Sequence, residues 1–228
     1  MKSKVYFVSG IDTGVGKTMA TGLMARSLAS SGRDVMTVKM VQTGCTGFSE
    51  DIAVHRAICG GVSFPEDAEG LTAPQIFKFP SSPLLAASLE GRAVDLDAIE
   101  RSVRACAARH EITLVESAGG LAVPLTEGVL SADFAAARGW PLILVSCGRL
   151  GAINHTLLSL EAAKSRGIPI AGVVHDWCDG ADERIDKDAF DATKRHLARL
   201  GMDAPVVRVP RFEVGGSYPD VDFSEIFS

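Results

Sequence analysis

The chain has 228 residues, a length that favours a single domain spanning residues 1–228 around one large core. Apolar residues make up 46% and charged residues 22% of the sequence, a balance typical of folded globular proteins that excludes an intrinsically disordered chain. The formal net charge of −5, from 23 basic and 28 acidic side chains, excludes the overall basic field of a nucleic-acid-binding protein.

Cysteine usage and hydropathy indicate a cytoplasmic protein with no membrane span. The five cysteines are Cys45, Cys59, Cys106, Cys147 and Cys178. Their odd number and the absence of a CxxC pair argue against a disulfide framework and against a structural zinc site, so a reducing compartment is favoured. No apolar run approaches the roughly 20 residues that span a bilayer, and the apolar part of residues 1–10 is too short for a signal peptide.

Short apolar runs rich in β-branched residues alternate with helical patterns along the chain. The predicted strands are residues 5–9, 35–41, 112–115, 142–146, 170–174 and 206–209, and the predicted helices are residues 17–30, 96–109, 153–165 and 187–200. Continuous apolar runs are typical of parallel strands covered on both faces. The alternation therefore predicts an α/β fold: a doubly wound, mainly parallel sheet with helices on both faces. Residues 60–83 and the tail after residue 210 lack periodicity and are predicted to be irregular.

The first strand is followed by a glycine-rich loop that opens the first helix. Its sequence is Gly10-Ile11-Asp12-Thr13-Gly14-Val15-Gly16-Lys17-Thr18. Glycines let backbone N–H groups converge on phosphate oxygens, and the helix N-terminus adds the positive end of its dipole. Lys17 would reach the β- and γ-phosphates, and the Thr18 hydroxyl would bind Mg²⁺. Gly10 lies one residue further back than in the usual P-loop spacing, and the alternative is a turn that binds nothing.

Two acidic residues could complete a metal site beside this loop. Glu116 follows the strand at 112–115, and ligands bind at the carboxyl ends of parallel strands, so Glu116 should face the loop. The alternative for Glu116 is a solvated acid at a strand end. Asp51 follows a polar loop and could equally be a helix N-cap. The pattern alone does not distinguish Asp51 from Glu50.

Lys39 lies within the second apolar run, where a buried ammonium needs a partner. It is either a cation aimed at a phosphoryl or carboxylate group or an edge lysine that reaches solvent. Thr43, just beyond it, is either a turn residue or a contact to substrate. A second glycine-containing junction, residues 147–155, could hold an anion at a helix start or be an ordinary turn. The histidines His55, His110 and His196 are interpreted as helix-surface residues.

Five motifs in the same order resemble the dethiobiotin synthetase family from about Tyr6 to Phe212. They are the shifted phosphate loop, Lys39-Met40-Val41-Gln42-Thr43-Gly44, Phe79-Pro80-Ser81-Ser82-Pro83-Leu84, Glu116-Ser117-Ala118-Gly119-Gly120 and Leu150-Gly151-Ala152-Ile153-Asn154-His155-Thr156. The resemblance implies an ATP- and Mg²⁺-dependent ligase of biotin biosynthesis that joins CO2 to 7,8-diaminononanoate. It also implies a homodimer with its active sites at the subunit interface.

The same resemblance implies roles for individual residues. Lys17 and Lys39 would be catalytic, and Thr18, Asp51 and Glu116 would hold Mg²⁺. The nucleotide would contact Thr13, Gly14, Val15, Gly16, Lys17, Thr18, Met19, Asp51, Glu116, Ser117, Ala118, Gly119, His175, Asp176, Pro210, Arg211 and Phe212. The substrate would contact Thr13, Thr43, Ser82 and Pro83, and its carboxylate would meet Gly151, Ala152, Ile153 and Asn154 of the neighbouring subunit.

Two positions depart from the family pattern. Ser117 replaces a glycine, and His175 precedes Asp176 where an asparagine that reads adenine is usual. An imidazole presents its donor and acceptor in a different geometry from an amide. We therefore expect activity with at least one non-adenine nucleoside triphosphate.

Three other classes of P-loop protein are alternatives to the ligase. A partition-type switch ATPase would carry a lysine at the position of Asp12. A cobyrinate-type amidotransferase would need a glutaminase domain for which this chain has no room. A nucleotide-binding module would bind MgATP without phosphate release that depends on a substrate.

Overall fold

The computed structural model describes residues 4–177, 182–212 and 217–228. Its elements are β1 (Lys4–Gly10), α1 (Lys17–Ser30), β2 (Val35–Lys39), β3 (Gln42–Thr43), α2 (Glu50–Ile58), α3 (Pro65–Ala68), β4 (Ile76–Phe77), α4 (Pro83–Leu89), α5 (Leu96–Arg109), β5 (Ile112–Gly120), β6 (Pro124–Thr126), β7 (Val129–Leu130), α6 (Ser131–Ala136), β8 (Leu142–Cys147), α7 (Ala152–Ser165), β9 (Ile170–Asp176), α8 (Glu183–Arg199) and β10 (Val206–Arg208), followed by a 3₁₀ turn at Ser224–Phe227. The bounds of α1 and α5 agree with the predicted helices. Helix α8 begins four residues earlier than predicted, because the Asp182 side chain caps its first turn.

A six-stranded sheet with the order β10-β9-β8-β1-β5-β2 forms the centre of the fold. Every neighbouring pair of strands in it is parallel, which confirms the predicted α/β class. The chain runs from β1 to the edge strand β2, returns to β5, and then continues from β8 outward on the other side of β1. Right-handed crossovers therefore place the helices on opposite faces of the sheet, and the winding direction changes at β1.

Burial follows the predicted pattern of continuous apolar strands. All residues of β2 and all residues of β8 are buried, as expected for strands covered on both faces. Leu142, Ile143 and Leu144 are completely inaccessible to solvent. Truncating one of them to alanine would cost about 2–5 kcal/mol, because a cavity adds to the lost transfer free energy. This packed centre gives the loops at the carboxyl ends of the strands a rigid base.

Three sequence predictions were wrong in their details. Strand β2 ends at Lys39 rather than at residue 41, because after a last bond from the Met40 amide to the Glu116 carbonyl (3.0 Å) the chain leaves β5 to pair β3 with β4. Glu116 lies inside β5, which continues to Gly120, instead of at the end of its strand. The segment 60–83, predicted to be irregular, contains the short helix α3 and the strand β4.

Two further predictions concern compartment and redox state. Among the described helices, none is both long enough and apolar enough to cross a membrane. The cysteines of the described ranges, Cys45, Cys59, Cys106 and Cys147, are free thiols. Cys178 lies outside the described residues.

Candidate active site

The loop between β1 and α1 presents an uncapped helix N-terminus at the centre of the sheet. Gly16 is the N-cap of α1, with φ 87°, and no side chain caps the helix. A Cβ at Gly16 would overlap the Asp176 carboxylate at the end of β9. Glycine is therefore required by the left-handed backbone and by close packing together. The free N–H groups of the first turn remain available for an anion.

Lys17 extends back over this loop. Its Nζ donates to the carbonyl of Asp12 at 2.7 Å, and the side chain is largely buried. Burial, reinforced by the nearby charge of Lys39, lowers the pKa of Lys17 to about 8. A bound phosphate would favour the charged form again, so this ammonium is suited to an anionic ligand.

Three oxygen-bearing side chains from distant parts of the chain meet beside the loop. The Thr18 hydroxyl lies 3.0 Å from Asp51 Oδ1 and 3.1 Å from Glu116 Oε1. Oxygen ligands of this kind are those that Mg²⁺ prefers, so the residues present fit that ion. Within the described part of the chain, no group of three or more His, Cys, Asp or Glu side chains is arranged to hold a metal. An ion here would therefore need phosphate oxygens and water as its remaining ligands.

Lys39 lies between the same two carboxylates. Its Nζ donates to Glu116 Oε1 (2.7 Å) and to the Ser117 carbonyl (3.1 Å), and it forms an ion pair with Asp51. Lys39 and Glu116 are directly paired across β2 and β5, which explains why the sheet brings them together. Lys39 is therefore not an edge lysine that reaches solvent, because its ammonium is buried against two carboxylates of the protein itself. That it meets a phosphoryl or carboxylate group of a ligand stays a prediction.

Burial and charge act in opposite directions on this pair. Burial alone would raise the pKa of Glu116, but the Lys39 charge and the His55 hydrogen bond outweigh it and hold that pKa well below its usual range. Burial alone would lower the pKa of Lys39, but the Glu116 and Asp51 charges outweigh it and raise that pKa. Both groups therefore stay charged at neutral pH.

His55 is a site residue that the sequence interpretation missed. It is completely buried rather than on the helix surface, and its Nε2 lies 2.9 Å from Glu116 Oε2. Asp51 and His55 are four residues apart in α2 and so lie on the same helix face. The four-residue spacing between Asp51 and His55 is the sequence signal by which His55 could have been placed at the site. Ser49, rather than Asp51, caps the helix, accepting from the Ile52 amide at 3.2 Å.

One cavity of about 780 Å³ joins the phosphate loop to the predicted substrate residues. Its walls include these predicted residues: Thr13, Gly14, Gly16, Lys17, Thr18, Met19, Lys39, Thr43, Asp51, Ser82, Pro83, Glu116, Ala118 and Gly119. Of the predicted contacts near the phosphates, Val15 and Ser117 are not among them. The Ser117 hydroxyl is buried and bonds to Ser9 Oγ (3.0 Å) and the Gly119 carbonyl (3.1 Å), and the Val15 side chain is part of the core.

The predicted base-binding residues lie at the edge of the sheet beside β9 and β10. Pro210 and Arg211 line a second cavity of about 730 Å³, together with Trp177 and Arg208. Phe212 does not line this cavity. Its ring packs edge-on against the Tyr218 ring, with the two ring centres 6.3 Å apart.

The role expected of His175 is corrected by its contacts. Its ring is buried, with Nδ1 at 3.2 Å from Ser146 Oγ and Nε2 at 2.8 Å from Asp186 Oδ1. Arg208 Nη1 donates to the other Asp186 oxygen at 2.5 Å. Because both ring nitrogens of His175 are engaged inside the protein, neither is left to read an adenine edge. Asp176, the next residue, packs against Gly16.

The predicted carboxylate-binding helix start lies apart from the first cavity. Gly151 and Ile153 line a third cavity of about 310 Å³, Ala152 is buried, and Asn154 is exposed. Just before it, Arg149 forms an ion pair with Asp12 of the phosphate loop.

The fold and the site define a P-loop nucleotide-binding protein. A glycine-rich loop follows a central strand of the parallel sheet, a buried lysine lies above that loop, and two carboxylates lie beside it. A family model described as "AAA domain" matches residues 4–200. The chain belongs to the dethiobiotin synthetase family. It is 48% identical over 208 residues (91% of this chain and 87% of the relative) to the ATP-dependent dethiobiotin synthetase BioD of Chlorobaculum tepidum. It is 47% identical over 173 residues (76% and 91%) to the ATP-dependent dethiobiotin synthetase BioD 2 of Haemophilus influenzae.

Solved structures support the fold alone. A ParA family ATPase from Chlorobium tepidum superimposes with a TM-score of 0.53 at 14% identity, covering 93% of this chain and 86% of that one. The signal recognition particle receptor FtsY from Elizabethkingia anophelis superimposes with a TM-score of 0.52 at 17% identity, covering 99% and 64%. The position corresponding to the lysine of switch ATPases is Asp12 here, which ion-pairs with Arg149.

Proposed function

We propose that the chain uses ATP to close the ring of dethiobiotin from 7,8-diaminononanoate and CO2, releasing ADP and phosphate. Family membership supports the ATP-dependent ring closure. The observation that carries the proposal is the position of Lys39. Its ammonium stays charged, lines the same cavity as the phosphate loop, and has only carboxylates and a carbonyl as partners among the described contacts.

The reaction has three bond-making steps. One substrate amine attacks CO2, loses a proton and becomes a carbamate. A carbamate oxygen then attacks the γ-phosphorus, and the bond to the bridging oxygen breaks to release ADP. Finally the second amine attacks the carbonyl carbon of the mixed anhydride, loses a proton and expels phosphate. Phosphoryl transfer of this kind depends on positioning and charge neutralisation more than on covalent catalysis.

Lys17 and Lys39 would each neutralise a different negative charge during phosphoryl transfer. Lys17, held over the loop, would contact the β- and γ-phosphates, where negative charge develops on the leaving ADP. Lys39 would hold the carbamate anion against the γ-phosphorus. Thr13 and Thr43, which both line the cavity, would hydrogen-bond the carbamate and the diamine, and Ser82 and Pro83 would contact the substrate chain.

A magnesium ion would be held by Thr18, Asp51 and Glu116 together with oxygens of ATP. When bound, it would supply further neutralisation of the β- and γ-phosphates. The backbone of Gly14 to Met19 would surround the phosphates, and the nucleobase would enter the second cavity, which Trp177 and Arg211 line.

The substrate carboxylate would meet the start of α7 from a second copy of the chain. Gly151 is the N-cap of that helix, in a left-handed conformation and without a side-chain cap, so the N–H groups of the first turn can donate to an anion. Leu150 is 81% and Leu158 60% exposed on the same region, which suits a surface covered in a homodimer. Sedimentation of the wild type should give a dimer, and Leu150→Asp should shift it toward monomer. A monomeric wild type with full activity would contradict the interface.

The deciding experiment measures phosphate release from MgATP with bicarbonate, with and without 7,8-diaminononanoate. We expect release to depend on the diamine and dethiobiotin to appear in equal amount. Equal release in both reactions would reject the ligase in favour of a switch ATPase or a nucleotide-binding module.

A further inference from the structure

A buried chain of hydrogen bonds runs from α2 to the Glu116 carboxylate through His55. Glu116 Oε2 lies 2.9 Å from His55 Nε2, and His55 Nδ1 lies 3.1 Å from the Thr37 hydroxyl. Arg56 Nη1 donates to the same hydroxyl at 2.8 Å, while the rest of its guanidinium pairs with Asp67. His55 has no solvent exposure, and Thr37 and Glu116 have almost none.

The directions of these bonds follow from what each group can do. An arginine only donates, so the Thr37 oxygen accepts from Arg56. The hydroxyl hydrogen of Thr37 then has one acceptor among the bonds of the described residues, which is His55 Nδ1. His55 Nε2 therefore carries the hydrogen and donates it to Glu116. A ring with hydrogens on both nitrogens would leave the buried Thr37 hydroxyl without an acceptor.

The consequence concerns the orientation of Glu116. Its Oε2 is held by His55, so its Oε1 is turned toward the Thr18 hydroxyl and Lys39. We infer that His55 is a positioning residue, whose Nε2–H fixes the Glu116 carboxylate in the orientation that presents Oε1 to the metal site beside Thr18. Hydrogen bonds that orient ligands in this way change metal affinity by about 10–100-fold when they are removed. The inference rests on the proposed function for the role of Glu116.

Binding of Mn²⁺ in the presence of ADP tests the inference, because it needs neither diamine nor CO2. The full-length wild type is compared with His55→Gln, His55→Asn and His55→Leu by electron paramagnetic resonance of free Mn²⁺. A glutamine amide can place its nitrogen where Nε2 lies, whereas the shorter asparagine reaches only the position of Nδ1. We expect near wild-type affinity for His55→Gln and a loss of about 10–100-fold for His55→Asn and His55→Leu.

The control is His196→Leu, which changes a half-buried histidine of α8 that lines none of the three cavities. A purely structural role for His55 would lower thermal stability in all three variants without separating glutamine from asparagine. Equal Mn²⁺ affinity in His55→Gln and His55→Asn would overturn the inference. Because the comparison needs only these two variants, it remains a test even if His55→Leu does not fold. A wild type that binds no Mn²⁺ with ADP would overturn it as well.

Two further readouts keep this inference separate from the proposed function. The ring ¹⁵N shifts of His55 should show a hydrogen on Nε2 and none on Nδ1, and the opposite tautomer would contradict the bond directions. In the ring-closure assay, His55→Asn should raise the Mg²⁺ concentration for half-maximal rate by more than it lowers kcat. Failure of the wild type to form dethiobiotin would reject the proposed function without altering the Mn²⁺ comparison.

Discussion

The region around the phosphate loop (the centre) and the β9–β10 side of the sheet (the edge) hold their charged groups in different ways. At the centre, Lys17, Lys39 and Glu116 are buried and line the first cavity, and the Lys17 ammonium bonds only to a neutral carbonyl among the described contacts, so its charge is available to a ligand. At the edge, Asp186 is equally buried, but its carboxylate is divided between His175 and Arg208. In the proposed function the centre would use buried charge to bind, whereas the edge uses it to hold α8 against β9 and β10.

The contrast indicates how tightly each end of a nucleotide is specified. In the proposed function the phosphates would meet fixed cations and backbone N–H groups, which demand one geometry. The base would meet the Trp177 ring, and the Arg211 guanidinium lies 5.8 Å from the centre of that ring. Stacking on such faces accepts any base, because every base has a π-face. Strict selection of phosphate and loose selection of base should follow.

The largest expected effect tests the centre. Lys39→Met keeps the aliphatic stem and removes the charge that would hold the carbamate, so kcat should fall by about 100-fold or more, while the Kd for ADP changes little. Breaking a buried ion pair can cost about 3–5 kcal/mol, so folding is checked by circular dichroism at the assay temperature. Lys78→Met, an exposed lysine, is the matched control. Near-normal kcat in Lys39→Met would remove Lys39 from the mechanism.

A stability change should be the main effect at the edge. Asp186→Ala leaves the buried His175 ring and the Arg208 guanidinium without their shared partner, and we expect a loss of about 2–3 kcal/mol in the free energy of unfolding. Urea denaturation measures it. The exposed Asp188→Ala, two residues along the same helix, should change stability by less than about 0.5 kcal/mol. Similar values for both variants would contradict the distinction between centre and edge.

Base selection gives a smaller effect. At least one non-adenine nucleoside triphosphate should support ring closure with kcat/KM within about tenfold of ATP, because stacking contributes only about 1 kcal/mol of orientation-dependent energy. The measurement is dethiobiotin formation with each triphosphate at matched Mg²⁺. An enzyme that turns over ATP alone would show that the edge reads the base through contacts other than stacking.

The smallest effect is a pH dependence of stability. Burial lowers the pKa of His175, although the Asp186 carboxylate opposes the shift. The unfolded ring takes up a proton near pH ~6.5, and the folded ring resists, so the unfolded state binds more protons and stability falls as pH drops below that value. His175→Gln should flatten this slope in urea midpoints measured between about pH 7.5 and 5.5, and the exposed His155→Gln should not. An equal dependence of the urea midpoint on pH in the wild type, His175→Gln and His155→Gln would contradict the assignment of this effect to His175.

Local sequence signals were sufficient to predict which residues meet at the centre of the candidate site. Gly16, Lys17 and Thr18 follow one another in the chain, so their arrangement needs only a strand, a turn and a helix. Lys39 and Glu116 belong to different strands, yet each stands out as a charge within an apolar run. Parallel pairing then brings both to the carboxyl ends of their strands, beside the phosphate loop.

The contacts of the histidines could not be predicted in the same way. His55 looks like a surface residue until α2 packs on β2 and β5, and its partner Glu116 is 61 residues away. His175 matches a base-reading position by sequence, but Asp186 approaches it only because α8 begins at Glu183. Such partners are fixed by the packing of whole elements, which short motifs do not encode.

The contact between Gly16 and Asp176 has a consequence for nucleotide length. It joins the end of the phosphate loop to the end of β9, and Trp177 of the base cavity follows directly. The separation between the two ends of the nucleotide site is therefore set by solid packing instead of by a flexible connection. A nucleotide that reaches both must match that separation, so the distance between its base and its phosphates, and not the base alone, would decide whether it fits.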